Sequence, residues 1–245
     1  TRIENQAFGT LPFRTQAAVD FGPSDGRAAL LSANFSGGTT LQRLNINGST
    51  GPTATLTGPT AIPVDPYAAP TTADQPGTKQ NRNTVDAGFS SNVVQVGNSL
   101  WAVQSITDPT TGNVAIRYYE IDETTNAVLQ TGTISDPNLD FYFPSIAVNQ
   151  AGNVVIGYSG SSDTQFVSTF ASSGQTQGGV TVFNAPVLLK AGVSDYERID
   201  GFGRNRWGDY SATVVDPIDP TVFWTFQEFV DGTDSYATQI TQLMV

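Results

Sequence analysis

The residues with the greatest chemical capacity are concentrated in one segment, 195–210, of the 245-residue chain. This segment combines three arginines and four acidic residues with several aromatic side chains. Arginine presents a planar fork to carboxylates, and a Tyr or Trp ring offers a flat face to a sugar ring. These residue types predict a site for an anionic or carbohydrate ligand. The candidate ligand-binding residues are Tyr196, Glu197, Arg198, Arg204, Arg206, Trp207, Asp209 and Tyr210.

A structural role is the favoured alternative for the same segment. Charged side chains that enter a protein interior are almost always paired with an opposite charge. In an acidic chain, an arginine has many carboxylates with which it can pair. We therefore expect Arg206 to pair with Asp209 and Trp207 to pack between two neighbouring blades of β-sheet. On this interpretation the segment is a latch that holds neighbouring parts of the fold together.

Acidic residues recur just before three of the apolar runs of the chain, at Asp86, Asp140 and Asp209. Carboxylate and carbonyl oxygens are the ligands that calcium prefers, so these three residues are the candidate metal ligands and Ca²⁺ is the candidate cofactor. The favoured alternative is that they cap strand ends and that no cofactor is required. The turns at 108–113 and 122–126 lack the terminal acidic ligand of an EF-hand, and we interpret them as ordinary Asp-initiated turns.

Several classes of chemistry are excluded by composition. The chain has no histidine, so it cannot carry a Ser-His-Asp triad, and it has no cysteine, so disulfides do not hold it together. Without either residue a catalytic zinc site is not expected. The formal net charge of −11 disfavours nucleic acid and anionic membranes as partners. No membrane span is visible in the sequence, and membrane insertion is not expected.

A four-fold repeat of short apolar runs predicts how these segments are positioned. The copies begin near Thr15, Ser91, Pro144 and Tyr210, and each is followed by a turn and a second apolar run. Repeats built from short strands predict an all-β fold, namely a β-propeller of about four four-stranded blades in a single domain, residues 1–245. A larger propeller of which this chain is one part would show the same pattern.

The predicted propeller has a complete first blade, an incomplete last blade and one inserted loop. The first blade is expected to have strands near 16–21, 27–34, 40–47 and 53–64. The last blade lacks an outer strand, and the segment 2–8 is the candidate that would close it and protect the edge. Residues 61–84 contain four prolines, which predicts an inserted loop rather than a central strand.

Two stretches of the sequence resemble a known group of proteins. Arg-Asn-Arg-Trp-Gly-Asp-Tyr-Ser at 204–211, followed by Val-Asp-Pro at 215–217 and Phe-Trp at 223–224, is similar to segments of uncharacterised secreted bacterial β-propellers, which are distantly sialidase-like and BNR-repeat in style. The run Phe-Pro-Ser-Ile-Ala-Val-Asn at 143–149 resembles their blades. The resemblance implies a propeller fold and a secreted or cell-surface protein, extracellular or periplasmic, in a bacterium.

The same resemblance bears on activity. A sialidase would imply an arginine triad, a Tyr–Glu nucleophile pair and an acidic proton donor. Tyr196 and Glu197 are present, but their spacing from the arginines does not match that family, and 161–165 departs from its Ser-x-Asp-x-Gly-x-Thr-Trp box. We therefore expect no catalytic residues and favour a non-catalytic extracellular protein that binds a protein or carbohydrate partner or a larger surface assembly. The alternatives are a sialidase-like glycoside-processing enzyme and a structural subunit of a filament or envelope complex.

Overall fold

The computed structural model describes residues 10–23, 25–48 and 53–245, and within these ranges every regular element is a β-strand. Its strands are β1 (Gln16–Asp20), β2 (Arg27–Ala33), β3 (Gly37–Asn47), β4 (Thr55–Ala68), β5 (Val93–Val96), β6 (Ser99–Thr107), β7 (Val114–Asp122), β8 (Val128–Ile134), β9 (Asp140–Val148), β10 (Asn153–Ser161), β11 (Ser168–Gln177), β12 (Val180–Phe183), β13 (Val187–Lys190), β14 (Ala212–Val215), β15 (Val222–Gly232) and β16 (Ser235–Met244). The all-β prediction is confirmed. Within these ranges no helix has the length and apolarity needed to cross a membrane.

Asp-initiated turns join consecutive strands into antiparallel meanders. Asp108 Oδ1 accepts from Thr110 N at 2.9 Å, and Asp122 Oδ1 accepts from Thr124 N at 3.0 Å. Gly112 and Asn126 then take the left-handed backbone conformation, with φ of 81° and 61°. Gly and Asn are the residues that tolerate this conformation at least cost. The interpretation of both segments as ordinary turns is confirmed.

The first eight strands form one continuous sheet in the order β4-β3-β2-β1-β5-β6-β7-β8. The two meanders β1–β4 and β5–β8 are joined because β1 pairs in parallel with β5, from Ala18 opposite Val93 to Asp20 opposite Gln95. β4 also reaches β6, where Ala68 pairs with Thr107. That contact closes the strands β1 to β6 into a ring.

The remaining strands form two open sheets. One has the order β12-β11-β10-β9, with β13 also paired to β11, and the other has the order β14-β15-β16. β9 and β10 are buried along their whole length because they lie between the first sheet and the last. Trp101 of β6, Ile146 of β9 and Tyr158 of β10 belong to one apolar cluster, so the first and second sheets share a core.

The predicted propeller of four four-stranded blades is wrong. The described residues form sheets of eight, five and three strands, and the eight-stranded sheet closes on itself through β4 and β6. The first and second predicted blades are merged by the parallel β1–β5 pairing. β1 pairs with β2 along one edge and β5 pairs with β6 along one edge, so the other edge of each strand is available for this pairing. The segment 2–8, predicted to close the last blade, lies outside the described residues. A single domain over residues 1–245 stays a prediction.

The proline-rich segment is divided between a strand and a crossing loop. β4 continues to Ala68 through Pro59, Pro63 and Pro66, so the first part of the range predicted as an inserted loop is strand. Proline is tolerated there because β4 pairs along its length only with β3 and meets β6 only at Ala68, so its second edge is otherwise unpaired among the described strands. The chain then turns back on itself, where Ala73 and Arg82 pair as an antiparallel bridge. This bridge carries the loop into the region of the predicted ligand-binding residues.

Candidate functional site

The segment 195–209, between β13 and β14, is held against the proline-rich loop by a buried polar contact. Gln75 is almost fully buried and accepts from the backbone N–H of Tyr196 at 3.1 Å through its Oε1. Its Nε2 donates to the carbonyl oxygens of Gln80 at 2.6 Å and of Tyr196 at 3.2 Å. One amide side chain therefore satisfies backbone groups of both segments. This contact fixes the position of the predicted site relative to the loop.

A buried arginine lies at the centre of this contact. Arg82 is 0 % exposed, and its guanidinium lies 4.7 Å from the centroid of the Tyr196 ring and 5.8 Å from that of Trp207. Its Nη2 donates to Gln75 Oε1, whereas Nε and Nη1 have no hydrogen-bond partner in the described part of the chain. Burial lowers the pKa of Arg82 from its usual value. The faces of the Tyr196 and Trp207 rings offset part of the cost of burying this charge.

Trp207 and Tyr196 are structural residues rather than an open binding platform. Both are buried, and their rings meet edge to face with centroids 5.1 Å apart. Trp207 Nε1 donates to Ser159 Oγ of β10 at 3.3 Å. Trp207 is therefore buried, but the blades between which the latch interpretation places it are not present in the sheets that the described residues form.

Residues 198–206 form a small hairpin that projects from this buried base. Arg206 N donates to the carbonyl oxygen of Arg198 at 2.9 Å, and Asp200 N donates to that of Arg204 at 2.9 Å. Asp200 closes the turn because Oδ1 accepts from the backbone of Phe202 at 2.9 Å and of Arg204 at 3.0 Å. Its Oδ2 accepts from Arg204 Nη2 at 2.7 Å. The hydrogen bonds from the Arg204 side chain lower the pKa of Asp200 to about 2.

The tip of this 198–206 hairpin presents an aromatic ring to solvent. Phe202 is 86 % exposed, and the Arg204 guanidinium lies 5.2 Å from the centroid of its ring. Since Asp200 holds the other side of Arg204, the planar group is fixed over the ring. The tip is therefore an ordered apolar and cationic surface.

The base of the hairpin is anchored by Asn205. This side chain is fully buried, accepts from Arg198 N at 2.8 Å, and donates to the carbonyl oxygens of Gln80 at 2.6 Å and Tyr196 at 3.1 Å. The backbone of Asn205 also accepts from Asn83 N at 2.9 Å. The bonds to Gln80 and Asn83 fix the hairpin to the proline-rich loop, which is distant in sequence.

Two other predicted ligand-binding residues take part in a charged contact with the β15–β16 turn. Glu197 N donates to Asp234 Oδ1 at 2.6 Å, and Arg198 Nη2 donates to the carbonyl oxygen of Asp234 at 3.0 Å. Lys79 lies 3.7 Å from a carboxylate oxygen of both Glu197 and Asp234. The segment 195–209 is thus bound to the β15–β16 turn as well as to the proline-rich loop.

Arg206, Asp209 and Glu228 form the remaining charged group. Arg206 Nη2 pairs with Asp209 Oδ2, as the latch interpretation predicted. Glu228 of β15 is half-buried and lies over Gly208, where its carboxylate occupies the space that a Cβ atom would need. Burial, and to a lesser extent the charge of Asp209, raises the pKa of Glu228. Two carboxylates therefore lie close together in different electrostatic environments.

The predicted ligand-binding residues divide between interior and surface. Tyr196 and Trp207 are buried, Arg206 and Asp209 pair with each other, and Arg198 and Tyr210 are exposed. The sequence analysis missed Gln75, Arg82, Asn205, Phe202 and Glu228. The sequence signal that could have indicated Arg82 is its position as an arginine inside the proline-rich loop.

The three candidate metal ligands lie in separate settings. Asp86 pairs with Arg14, Oδ2 to Nε at 3.0 Å. Asp140 accepts from Asp74 N at 2.9 Å and from Val114 N at 2.7 Å, and Asp209 pairs with Arg206. Over the described ranges, no three acidic residues group in a way that could hold a metal ion. The hydrogen bonds of Asp140 are those of a carboxylate that caps backbone amides.

Comparisons with known proteins leave the family open. No protein-family model matches the chain, and no curated protein matches it either. The resemblance to secreted bacterial sialidase-like and BNR-repeat proteins stays a prediction.

Proposed function

We propose that this protein is a non-catalytic extracellular binding protein whose contact surface is the tip of the 198–206 hairpin. The observation that carries the proposal is the combination of a fixed base and an exposed tip. Asn205 is fully buried and hydrogen-bonded at the base, while Phe202 is exposed and stacked with Arg204 at the tip. A surface already ordered before binding loses little conformational entropy when a partner docks.

A protein partner suits this tip better than a polysaccharide. Binding energy at protein interfaces is concentrated in a few aromatic and arginine residues, and Phe202 and Arg204 provide one of each. Asp200 occupies the Nε–Nη2 edge of Arg204, so fewer guanidinium donors are left for the hydroxyl groups of a sugar. Tyr196 and Trp207, the rings that would stack on a sugar, are buried.

The proposal can be tested without knowing the natural partner. A phage-displayed library of random peptides is selected on the immobilised protein, and each enriched peptide is measured against Phe202→Ala. Phe21→Ala is the matched control because Phe21 is 94 % exposed elsewhere on the surface. We expect enriched peptides to lose most of their affinity for Phe202→Ala and to keep it for Phe21→Ala. Equal binding to both variants would refute the proposed surface, and a glycan array that gives a Phe202-dependent signal would replace the protein partner by a carbohydrate.

A second candidate function, glycoside processing, is favoured by one observation. Glu228 has a raised pKa and lies close to Asp209, and two carboxylates in unequal environments are the groups that cleave glycosidic bonds. The test is hydrolysis of fluorogenic glycosides, sialosides included, by the wild type and by Glu228→Gln. Hydrolysis that Glu228→Gln abolishes would support this function, and none at any pH from 4 to 8 would rule it out for those substrates.

A further inference from the structure

Among the residues that the structure describes, the last strand of the third sheet is paired along one edge only. β16 (Ser235–Met244) pairs with β15 from Ser235 opposite Gly232 to Met244 opposite Val222, and no other described strand pairs with its second edge. Its even-numbered residues are exposed, although the Tyr236 ring also meets the rings of Tyr196 and Trp207 edge to face, with centroids 6.3 and 6.2 Å apart. Its odd-numbered residues lie on the side of buried β15 residues such as Phe223 and Gln227. An unpaired strand of this length is a template for another strand.

The other outer strands are protected in recognisable ways. β4 carries three prolines, and β12, β13 and β14 have only four residues each. The edge of β8 is met by β12, since Gln130 Oε1 accepts from Thr181 N at 2.8 Å and Gln130 Nε2 donates to Thr181 Oγ1 at 2.9 Å. β16 has neither a proline nor a charged residue over its ten residues. The usual devices against edge-to-edge pairing are therefore missing from this strand.

The sequence of β16 is complementary to itself when a second copy runs antiparallel. With Ile240 opposite Ile240, the exposed face places Tyr236 opposite Met244 and Thr238 opposite Gln242. Aromatic–sulfur and aliphatic pairs of this kind stabilise neighbouring strands. No like charges meet along the strand, although two copies of a chain with a net charge of −11 repel each other elsewhere. The arrangement fits a second copy of this chain rather than a charged partner.

We propose that two copies of the protein associate through β16, which pairs antiparallel with itself about Ile240. The two three-stranded sheets then become one continuous sheet across a two-fold axis. The contact is isologous, so it closes as a dimer and does not continue into a filament.

The first experiment measures mass in solution by sedimentation velocity over a range of protein concentrations. We expect the wild type to reach twice its 25.9 kDa chain mass, more readily at high salt because salt screens the repulsion between acidic copies. Ile240→Lys places two like charges opposite each other and should leave a monomer. Leu129→Lys is the control, since Leu129 is 49 % exposed on β8 and Ile240 is 54 % exposed. Circular dichroism establishes that each variant is folded.

The second experiment tests the register and does not depend on Ile240→Lys being stable. The chain has no cysteine, so a single introduced one is unambiguous. Ile240→Cys puts two thiols directly opposite each other, within the Cα separation of a disulfide. Thr238→Cys lies on the same face, but its two copies are about 13 Å apart because each faces Gln242. We expect rapid oxidation to a covalent dimer for Ile240→Cys alone.

A monomer at every concentration and salt condition would overturn the proposal and indicate that another segment of the same chain covers this edge. Equal cross-linking of Ile240→Cys and Thr238→Cys would overturn the two-fold register. A dimer that Ile240→Lys leaves intact would place the interface elsewhere on the surface.

Discussion

The guanidinium of Arg82 lies 4.7 Å from the centroid of the Tyr196 ring, which joins the proline-rich loop to the segment that carries the 198–206 hairpin. The backbone N–H of Tyr196 also donates a hydrogen bond to the side chain of Gln75. The proline-rich loop, the Tyr196 ring and the base of the hairpin therefore pack as one unit. The conformation of the hairpin therefore depends on residues far away in the sequence. Changes at Arg82 should alter the hairpin without touching it directly.

The first prediction concerns the charge of Arg82. No carboxylate lies within ion-pair distance of it in the part of the chain that the structure describes, so removing its charge also removes a desolvation cost. Arg82→Met keeps most of the volume and should change the free energy of unfolding by less than ~1 kcal/mol. Arg82→Ala leaves a cavity beneath Tyr196 and Trp207 and should cost about 3 kcal/mol. Urea unfolding followed by tryptophan fluorescence measures both, and equal losses would show that the charge itself is stabilising.

The second prediction concerns Asp200 as the residue that orders the hairpin tip. Asp200→Asn removes the charge that holds Arg204, so the backbone amides of Phe202 and Arg204 should exchange with solvent faster. Hydrogen–deuterium exchange measures this directly. In the wild type the pKa of Asp200 is lowered to about 2, so its contribution is present at neutral pH and is lost as pH falls towards that value. Exchange of the tip that is unchanged in Asp200→Asn would contradict this role.

The third prediction separates capping from metal binding at Asp140. Asp140→Ala leaves the buried amide of Val114 without an acceptor and also removes the acceptor of the Asp74 amide, which should cost about 1–3 kcal/mol of unfolding free energy. Asp140→Asn keeps one acceptor oxygen and should lose less. Thermal unfolding with and without a calcium chelator provides the comparison. If the chelator lowered the melting temperature of the wild type as much as Asp140→Ala does, a metal role would replace the capping interpretation.

Local features of this fold were readable from the sequence because they depend on neighbouring residues. Strands were expected near 16–21 and 27–34, and β1 and β2 lie there. The Asp-initiated turns at Asp108 and Asp122 and the pairing of Arg206 with Asp209 follow from side chains a few residues apart. Such contacts need no knowledge of the tertiary arrangement.

The features that sequence analysis missed depend on distant pairings. Nothing in Ala18 or Val93 indicates that their strands pair in parallel, and this pairing is what merges the predicted blades. Arg82 is buried only because the loop folds under Tyr196, since an arginine in a proline-rich segment is ordinarily exposed. Phe202 is absent from the predicted ligand-binding residues because the sequence around it does not show whether the ring points inward or outward.

The last prediction uses the raised pKa of Glu228. Because burial favours the neutral form, the folded protein must bind a proton more tightly than the unfolded chain, in which the pKa has its ordinary value of 4.5. The protonated side chain therefore carries no penalty at low pH, and folding loses stability as pH rises through the folded pKa. Glu228→Gln should match the wild type in stability at about pH 4 and exceed its stability at about pH 7, by up to ~1 kcal/mol after allowance for solvent screening at a half-buried site.

Asp231→Asn removes one charge from an exposed position of the same strand and is the control for the overall effect of net charge. A Glu228→Gln variant that is less stable than the wild type at pH 7, while Asp231→Asn is unchanged, would mean that the ionised carboxylate makes a favourable contact at this position.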